Sequence, residues 1–286
     1  MISKDETALV TGAGGLLGRF VAAQLRASDW SVVALSHQDL DVSDGEAVNR
    51  QLDRARPQVI INCAATTDVD RCEREPEWAE RVNVDGPRLL ARAANAAGAT
   101  LVHISTDYVF DGKKDGFYTQ EDEPHPLSVY GRTKLAGELA AREELDRAFI
   151  VRTSWIFGPG GKNFGSRVLE YARGGAALKG VTDQISIPTY APDLAGRIRQ
   201  IIVAGAPGLY HVANSNPGTW YEFARLVLDL AGFTQIEIKP VTRAELAQPA
   251  ERPRNSAMRC LLTERIGLVP LRDWRAALPE FVRAAC

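Results

Sequence analysis

Residues Ala8 to Phe20 read "ALVTGAGGLLGRF". The β-branched apolar run "TALVTG" ends in glycine. Gly12, Gly15 and Gly18 then recur at every third position, with Gly14 between them. Leu17, Val21 and Leu25 follow on one helical stripe. Strand, glycine turn and helix in this order point to dinucleotide binding. The backbone must turn sharply and approach a pyrophosphate closely, which calls for small residues. The helix N-terminus then offers free amides and a positive dipole end to the anion.

Outward from this stretch the strand–helix alternation continues. "WSVVALS" reads as a strand, and "DGEAVNRQLDRA" as a helix with Ala47, Val48, Leu52 and Ala55 on its apolar face. "QVIINCAA" is a continuous apolar strand, as expected when both faces are covered. "WAERVNVDGPRLLARAANAAG" reads as a long helix with Gly98 placed to end it. "TLVHIS" and "FIVRTS" are two more buried strands with another helix between them. Repetition of this kind means parallel strands joined by crossover helices.

The expected fold is therefore α/β, a Rossmann-type doubly wound parallel sheet. Ligands of such sheets bind beyond the carboxyl ends of the strands. The loops after "LVTG", "CAATT", "HISTD" and "RTSW" should open onto one cleft. Beyond Trp155 the pattern loosens into pieces such as "IFGPGGKNFG" and "AQPAERPRNS". These are expected to form a smaller mixed α/β C-terminal substrate lobe. The expected boundaries are 1–155 for the dinucleotide domain, with 190–213 returning to it, and 156–286 mainly for the lobe.

Composition narrows the function classes. The 286 residues carry a formal net charge of −2, with 45% hydrophobic and 24% charged residues, an ordinary globular balance. Scattered charge of both signs argues against a nucleic-acid or membrane partner. Cys63, Cys72, Cys260 and Cys286 fit neither a zinc pattern nor C-x-x-C. The apolar run in "MISKDETALV" is too short for a signal segment or a membrane span. A reduced cytoplasmic setting is expected. The four histidines lie far apart in sequence, so no metal is expected.

"SVYGRTKLAGE", residues 128–138, places Tyr130 and Lys134 one helical turn apart, on one face. A free tyrosine has a pKa of about 10 and carries protons poorly at neutral pH. A neighbouring ammonium favours the phenolate and lowers that value, which suits a proton donor to a ketone oxygen receiving hydride. The same lysine can hold the nicotinamide ribose. In "HISTDYVFDG", Thr106 offers a hydroxyl for the substrate carbonyl at a strand end, with Ser105 the lesser candidate. The second strand runs into "ALSHQDLDVSD", with Ser36 and His37 where an acid would favour NAD. Arg19 fits a 2′-phosphate contact or a solvated helix residue, so NADPH and NADH both stay open. Asp41 and Val42 suit the adenine edge and face, and Asp41 equally suits a helix cap or turn.

Taken together, "TGAGGLLG", "HQDLDVSD", "RPQVIINCAATTDVDRCE", "STDYVFDG", "VYGRTKLAGE", "RTSWIFGPGGKNF", "DQISIPTYAPDLA", "GLYHVAN" and "RPRNS" resemble the dTDP-4-dehydrorhamnose reductase family of extended short-chain dehydrogenase/reductases. The resemblance runs from about Ala8 to near the C-terminus. It implies reduction of the 4-keto group of a dTDP-sugar by NADPH, with NADH the alternative, in a monomer or homodimer. It makes Thr106, Tyr130 and Lys134 the catalytic trio. Gly12, Gly15, Leu16 and Leu17 would lie on the pyrophosphate, and Asp41 and Val42 by the adenine. Ala64, Ala65 and Thr66 would line the cofactor, and Asn83 would steady the loops around it. Asp107, Tyr108 and Trp155 would border the sugar. Asn163, Gln184, Thr189, Arg252 and Asn255 would meet the nucleotide-sugar. Two positions depart from the family pattern: Ser186 stands where a glycine is usual, and Thr66 where an aromatic residue or histidine is frequent. The rival readings are another nucleotide-sugar ketoreductase or epimerase, and a non-catalytic subunit resembling the regulatory subunit of methionine adenosyltransferase.

Overall fold

The computed structural model describes residues 6–175 and 177–285. Its centre is one sheet of six strands: β1 (Thr7–Thr11), β2 (Ser31–Leu35), β3 (Val59–Asn62), β4 (Thr100–Thr106), β5 (Ala148–Thr153) and β6 (Gly208–His211). Their order across the sheet is β6-β5-β4-β3-β1-β2. Every pairing is parallel. The chain leaves β1 to one side for β2 and crosses to the other for β3. This switch point opens a crevice at the carboxyl ends, where ligands of such sheets bind.

Strands covered on both faces must be apolar on both, and β3, "VIIN", is buried at all four positions. On one face the helices Leu16–Arg26 and Ala191–Ala204 pack against Val10, Ile61, Val102 and Val151. On the other, the helices Gly45–Ala55, Gly86–Ala96 and Val129–Glu144 cover Leu9, Ile60, Leu101 and Ile150. A second core gathers Phe157, Phe223, Trp274 and Phe281 beneath the helices Phe164–Arg173, Trp220–Leu230 and Trp274–Ala285. Full burial of each such phenylalanine contributes roughly 1.5–3 kcal/mol. Leu178–Val181 pairs in parallel with Ile238–Val241 in the same lobe. Ile156–Phe157 pairs with Thr189–Tyr190 where the lobe leaves the sheet.

Two local features place the cleft. Ser128 accepts from the Gly131 amide at 3.1 Å, which starts the tyrosine helix two residues before Tyr130. The long helix read from residues 78–98 is broken by one π-helical turn, Arg81–Asp85, which turns Asn83 inward. Gly98, at φ 69°, ends the helix in the left-handed conformation expected after a C-cap. The π-turn presses on the tyrosine helix so closely that a Cβ on Gly137 would collide with the Asn83 carbonyl oxygen.

Gly137→Ala should therefore lower the unfolding free energy by about 2 kcal/mol, the ordinary cost of overpacking. Gly196, in the helix Ala191–Ala204, has open space where a Cβ would stand. Gly196→Ala should raise stability by about 0.5–1 kcal/mol. Urea unfolding of both variants beside the parent measures the contrast.

Candidate active site

A cavity of about 430 Å³ lies at the carboxyl ends of the strands, bounded by Gly15, Leu16, Ala65, Thr106, Tyr130 and Lys134. Leu17, Asp107, Tyr108 and Trp155 also line it. A second cavity, again about 430 Å³, shares Tyr108 and is bordered by Gln184, Trp220 and Arg252. Trp155 adopts φ 39°, a left-handed conformation that bulky residues rarely take. Its ring stacks on Trp220 with centroids 3.7 Å apart, so this aromatic pair forms the wall between the two spaces.

The glycine turn fits a dinucleotide. Gly12 has φ 62°, and a Cβ there would stand 2.7 Å from the Ala64 nitrogen. The helix Leu16–Arg26 starts at Gly15 with no side-chain cap and no acid in its first turn. Its first amides and dipole end therefore remain available to an anion in the cavity. Behind the turn, Asn83 accepts from the Thr66 amide at 3.0 Å and donates to the Thr66 carbonyl and the Thr133 hydroxyl, both at 3.2 Å. Gly12, Ala64, Thr66 and Asn83 are thus the frame of the cavity rather than its lining.

The trio converges. Thr106 is buried at the end of β4, beside the Tyr130 phenol. It also accepts from the Tyr108 amide and donates to Asp107, both at 3.2 Å. Lys134 is only 2% exposed and donates to the Ile104 carbonyl at 2.7 Å. The electrostatics differ from the expectation that the ammonium sharpens the phenol. Burial pushes the Tyr130 pKa up, and Thr106 opposes it, with Lys134 not among the leading influences. Burial also pulls Lys134 down to about 8, against the raising effect of Glu138. The phenol therefore stays loaded with its proton through the neutral range, and the lysine is the group near its titration point.

Asp107 is a buried carboxyl raised to about 6 by desolvation. The hydroxyls of Ser186, at 2.9 Å, and Ser256 both donate to it. Ser186, at the position of an expected glycine, thus supplies a hydrogen bond that glycine cannot. Tyr108, raised to about 12 by burial, receives a bond from the Gln184 amide at 3.2 Å. Arg252 forms a two-pronged ion pair with Asp70 at 2.9 and 3.1 Å and donates to the Ala250 carbonyl. It stands at the second cavity as an oriented guanidinium.

Several expected contacts are spent elsewhere. Asp41 accepts from the amide and hydroxyl of Ser43, the turn reading of its sequence position, and Val42 is core packed near Gly86. Asn163 caps the helix Phe164–Arg173 and donates to the Gly158 and Gly161 carbonyls. Thr189 is fully buried, and its hydroxyl donates to the Ile187 carbonyl. Asn255 is saturated by the Lys114 and Gly116 carbonyls and the Ala257 amide. None of these five lines either cavity. Arg19 reaches back to the Pro159 and Gly160 carbonyls.

Sequence reasoning passed over Asn62, His103, Glu138, Arg152 and Trp220. Glu138 and Arg152 form a buried ion pair at 2.7 Å, and Ser105 donates to Glu138. The available signal was polar residues inside strands otherwise read as apolar throughout: Asn62, His103, Ser105 and Arg152.

The parallel sheet, the glycine turn and the Tyr130–Lys134–Thr106 cleft define an extended short-chain dehydrogenase/reductase. The family model described as the RmlD substrate binding domain matches residues 6–286. The chain is 41% identical to the dTDP-4-dehydrorhamnose reductase of Mycolicibacterium smegmatis, over 96% of this chain and 85% of that one. It is 42% identical to the enzyme of the same name from Streptomyces griseus, over 97% and 93%. The crystal structure of dTDP-4-dehydrorhamnose reductase from Bacillus anthracis in complex with NADP superposes with a TM-score of 0.94 at 34% identity, covering 97% of this chain and 98% of that one. The chain belongs to the dTDP-4-dehydrorhamnose reductase family.

Asn163→Ala separates a capping role from a substrate role. Loss of a cap costs about 1 kcal/mol of stability. Thermal unfolding should show that loss, while KM for the sugar substrate stays within about twofold, since no contact worth a hydrogen bond is removed.

Proposed function

We propose that this protein reduces the 4-keto group of dTDP-4-dehydro-L-rhamnose to give dTDP-L-rhamnose, using NADPH, in the cytoplasm. The observation that carries this reading is the meeting of Thr106, Tyr130 and Lys134 in the crevice on which the glycine-turn helix opens. The names of the full-length relatives support the dTDP-sugar, and the NADP in the Bacillus anthracis structure supports the cofactor.

Each side chain has a task that follows from its surroundings. When bound, the dihydronicotinamide supplies hydride to the keto carbon. Thr106 holds the keto oxygen beside Tyr130. Tyr130 gives that oxygen its proton as negative charge develops there; an alkoxide is far more basic than a phenolate, so a phenol with a raised pKa remains an adequate donor. Lys134 grips the ribose and restores the proton. The second cavity takes the nucleotide end of the substrate. There Arg252, oriented by Asp70, suits a diphosphate. Gln184 and Tyr108, hydrogen-bonded to each other, line it. Trp155, braced by Trp220, closes the sugar side against water. Among the described residues no helix is long and apolar enough to cross a membrane.

Tyr130→Phe keeps the ring and removes only the acidic hydrogen. Its kcat for NADPH oxidation with dTDP-4-dehydro-L-rhamnose should fall at least about a hundredfold, the low end of a general-acid contribution. NADPH affinity, read by fluorescence titration, should change less than about twofold, since that hydroxyl acts on the substrate oxygen. Unchanged turnover in the variant would remove Tyr130 from the proposed chemistry.

A further inference from the structure

A line of buried polar side chains runs from β1 to the tyrosine helix. Thr11 donates its hydroxyl to Asn62 Oδ1 at 2.7 Å, and the Ala64 amide donates to the same oxygen at 3.1 Å. A backbone N–H can only donate, so the atom it meets is the amide oxygen, and the orientation of Asn62 is fixed. The Asn62 nitrogen therefore faces His103 Nδ1 at 3.1 Å. An amide nitrogen offers hydrogens and no acceptor, so Nδ1 accepts and bears no proton. The imidazole is then neutral with its single N–H on Nε2. Burial acts in the same direction, pulling the His103 pKa well below its ordinary value, with the Lys134 charge adding to it. Nε2 lies 3.4 Å from Lys134 Nζ. With an N–H pointing at it, Nζ is met favourably only as an amine with a lone pair. Its other contact, to the Ile104 carbonyl, serves amine and ammonium alike.

We propose that His103, locked in its Nε2–H form by Asn62, is a positioning residue that favours the neutral amine of Lys134 and so keeps that proton exchangeable at physiological pH. The inference rests on the reductase reading of the cleft. The other groups facing Lys134 are accounted for. The Cys63 thiol, from the loop after β3, is raised to about 12 by burial and stays uncharged. Glu138, one turn along the same helix, favours the ammonium, but its carboxylate is shared with Arg152 and Ser105. Tyr130, one turn earlier, is a phenol that burial keeps protonated.

The proton balance closes within the cleft. The Tyr130 O–H bond breaks as its proton joins the substrate oxygen, and it re-forms with a proton drawn from the Lys134 ammonium. The amine left behind accepts from the His103 N–H and regains its proton from water. His103 itself neither gains nor loses one. An ammonium held too firmly would restore Tyr130 slowly; the Asn62–His103 pair prevents this.

The test combines two readouts. One is 15N NMR of the His103 ring in the wild-type protein. The other is the pH dependence of kcat for NADPH oxidation with dTDP-4-dehydro-L-rhamnose, in wild type, Asn62→Asp, His103→Phe and the double variant. The NMR should show a neutral ring protonated at Nε2 throughout about pH 6–9, where an ordinary histidine titrates. Asn62→Asp supplies a carboxylate that accepts from Nδ1–H, so Nε2 turns a lone pair toward Lys134. The alkaline limit of kcat should then move up by about one pH unit, a tenfold change in amine acidity. With His103→Phe also present, the same substitution should move it by less than about a third as much, because the path through the ring is gone. A proton on Nδ1, an imidazolium, or equal displacement in both backgrounds overturns the proposal. Absence of wild-type turnover with this sugar would instead overturn the reductase reading, and the NMR would still judge the Asn62–His103–Lys134 arrangement by itself.

Discussion

Lys134 has been taken out of water, and much of the cleft is the consequence. Moving an ammonium into a protein interior costs several kcal/mol unless neighbours replace its hydration. One replacement is the Ile104 carbonyl, at 2.7 Å. A second is the Glu138 carboxylate, itself buried and paired with Arg152 from β5. The neutral His103 ring from β4 faces the same nitrogen and favours its amine form instead. These groups can surround one nitrogen only because the tyrosine helix lies directly over β4 and β5, and Gly137 lets it press against the π-turn that carries Asn83. The same turn holds Thr66 and thereby shapes the frame of the cavity. One desolvated amino group thus ties together strand register, helix contact and loop position.

Asp107 performs a comparable service between the two parts of the molecule. It follows Thr106 at the end of β4 and accepts hydroxyl bonds from Ser186 and Ser256, both in the C-terminal lobe. Thr106 donates to the same carboxyl. Placement of the lobe is therefore transmitted to the Thr106 hydroxyl. The Trp155–Trp220 stack acts alongside it, standing between the two cavities.

The fold was legible because period and punctuation agreed: continuous apolar strands, amphipathic helices and a glycine turn placed between the first of each. The proximity of Tyr130 and Lys134 was legible for the same reason, since helical spacing alone puts them on one face. What sequence could not give was where polar side chains find partners. Asn163, Thr189 and Asn255 look like free hydrogen-bonding arms until the loops around them are folded, and then each is satisfied by nearby backbone. Asp41 met the turn that its sequence position equally allowed. Spacing reports proximity and not burial, and burial dominates the electrostatics of both Tyr130 and Lys134. His103 stayed hidden in a strand whose pattern reads as plain core.

Central to the proposed function is the direction of hydride from a bound dihydronicotinamide to one carbonyl carbon. The most direct measurement is transfer of label from NADPH carrying deuterium at the transferable position of its nicotinamide C4, with the product sugar analysed by NMR and mass spectrometry. One deuterium at C4 of the hexose is expected for each NADP formed. Unlabelled sugar, or label at any other carbon, would contradict it.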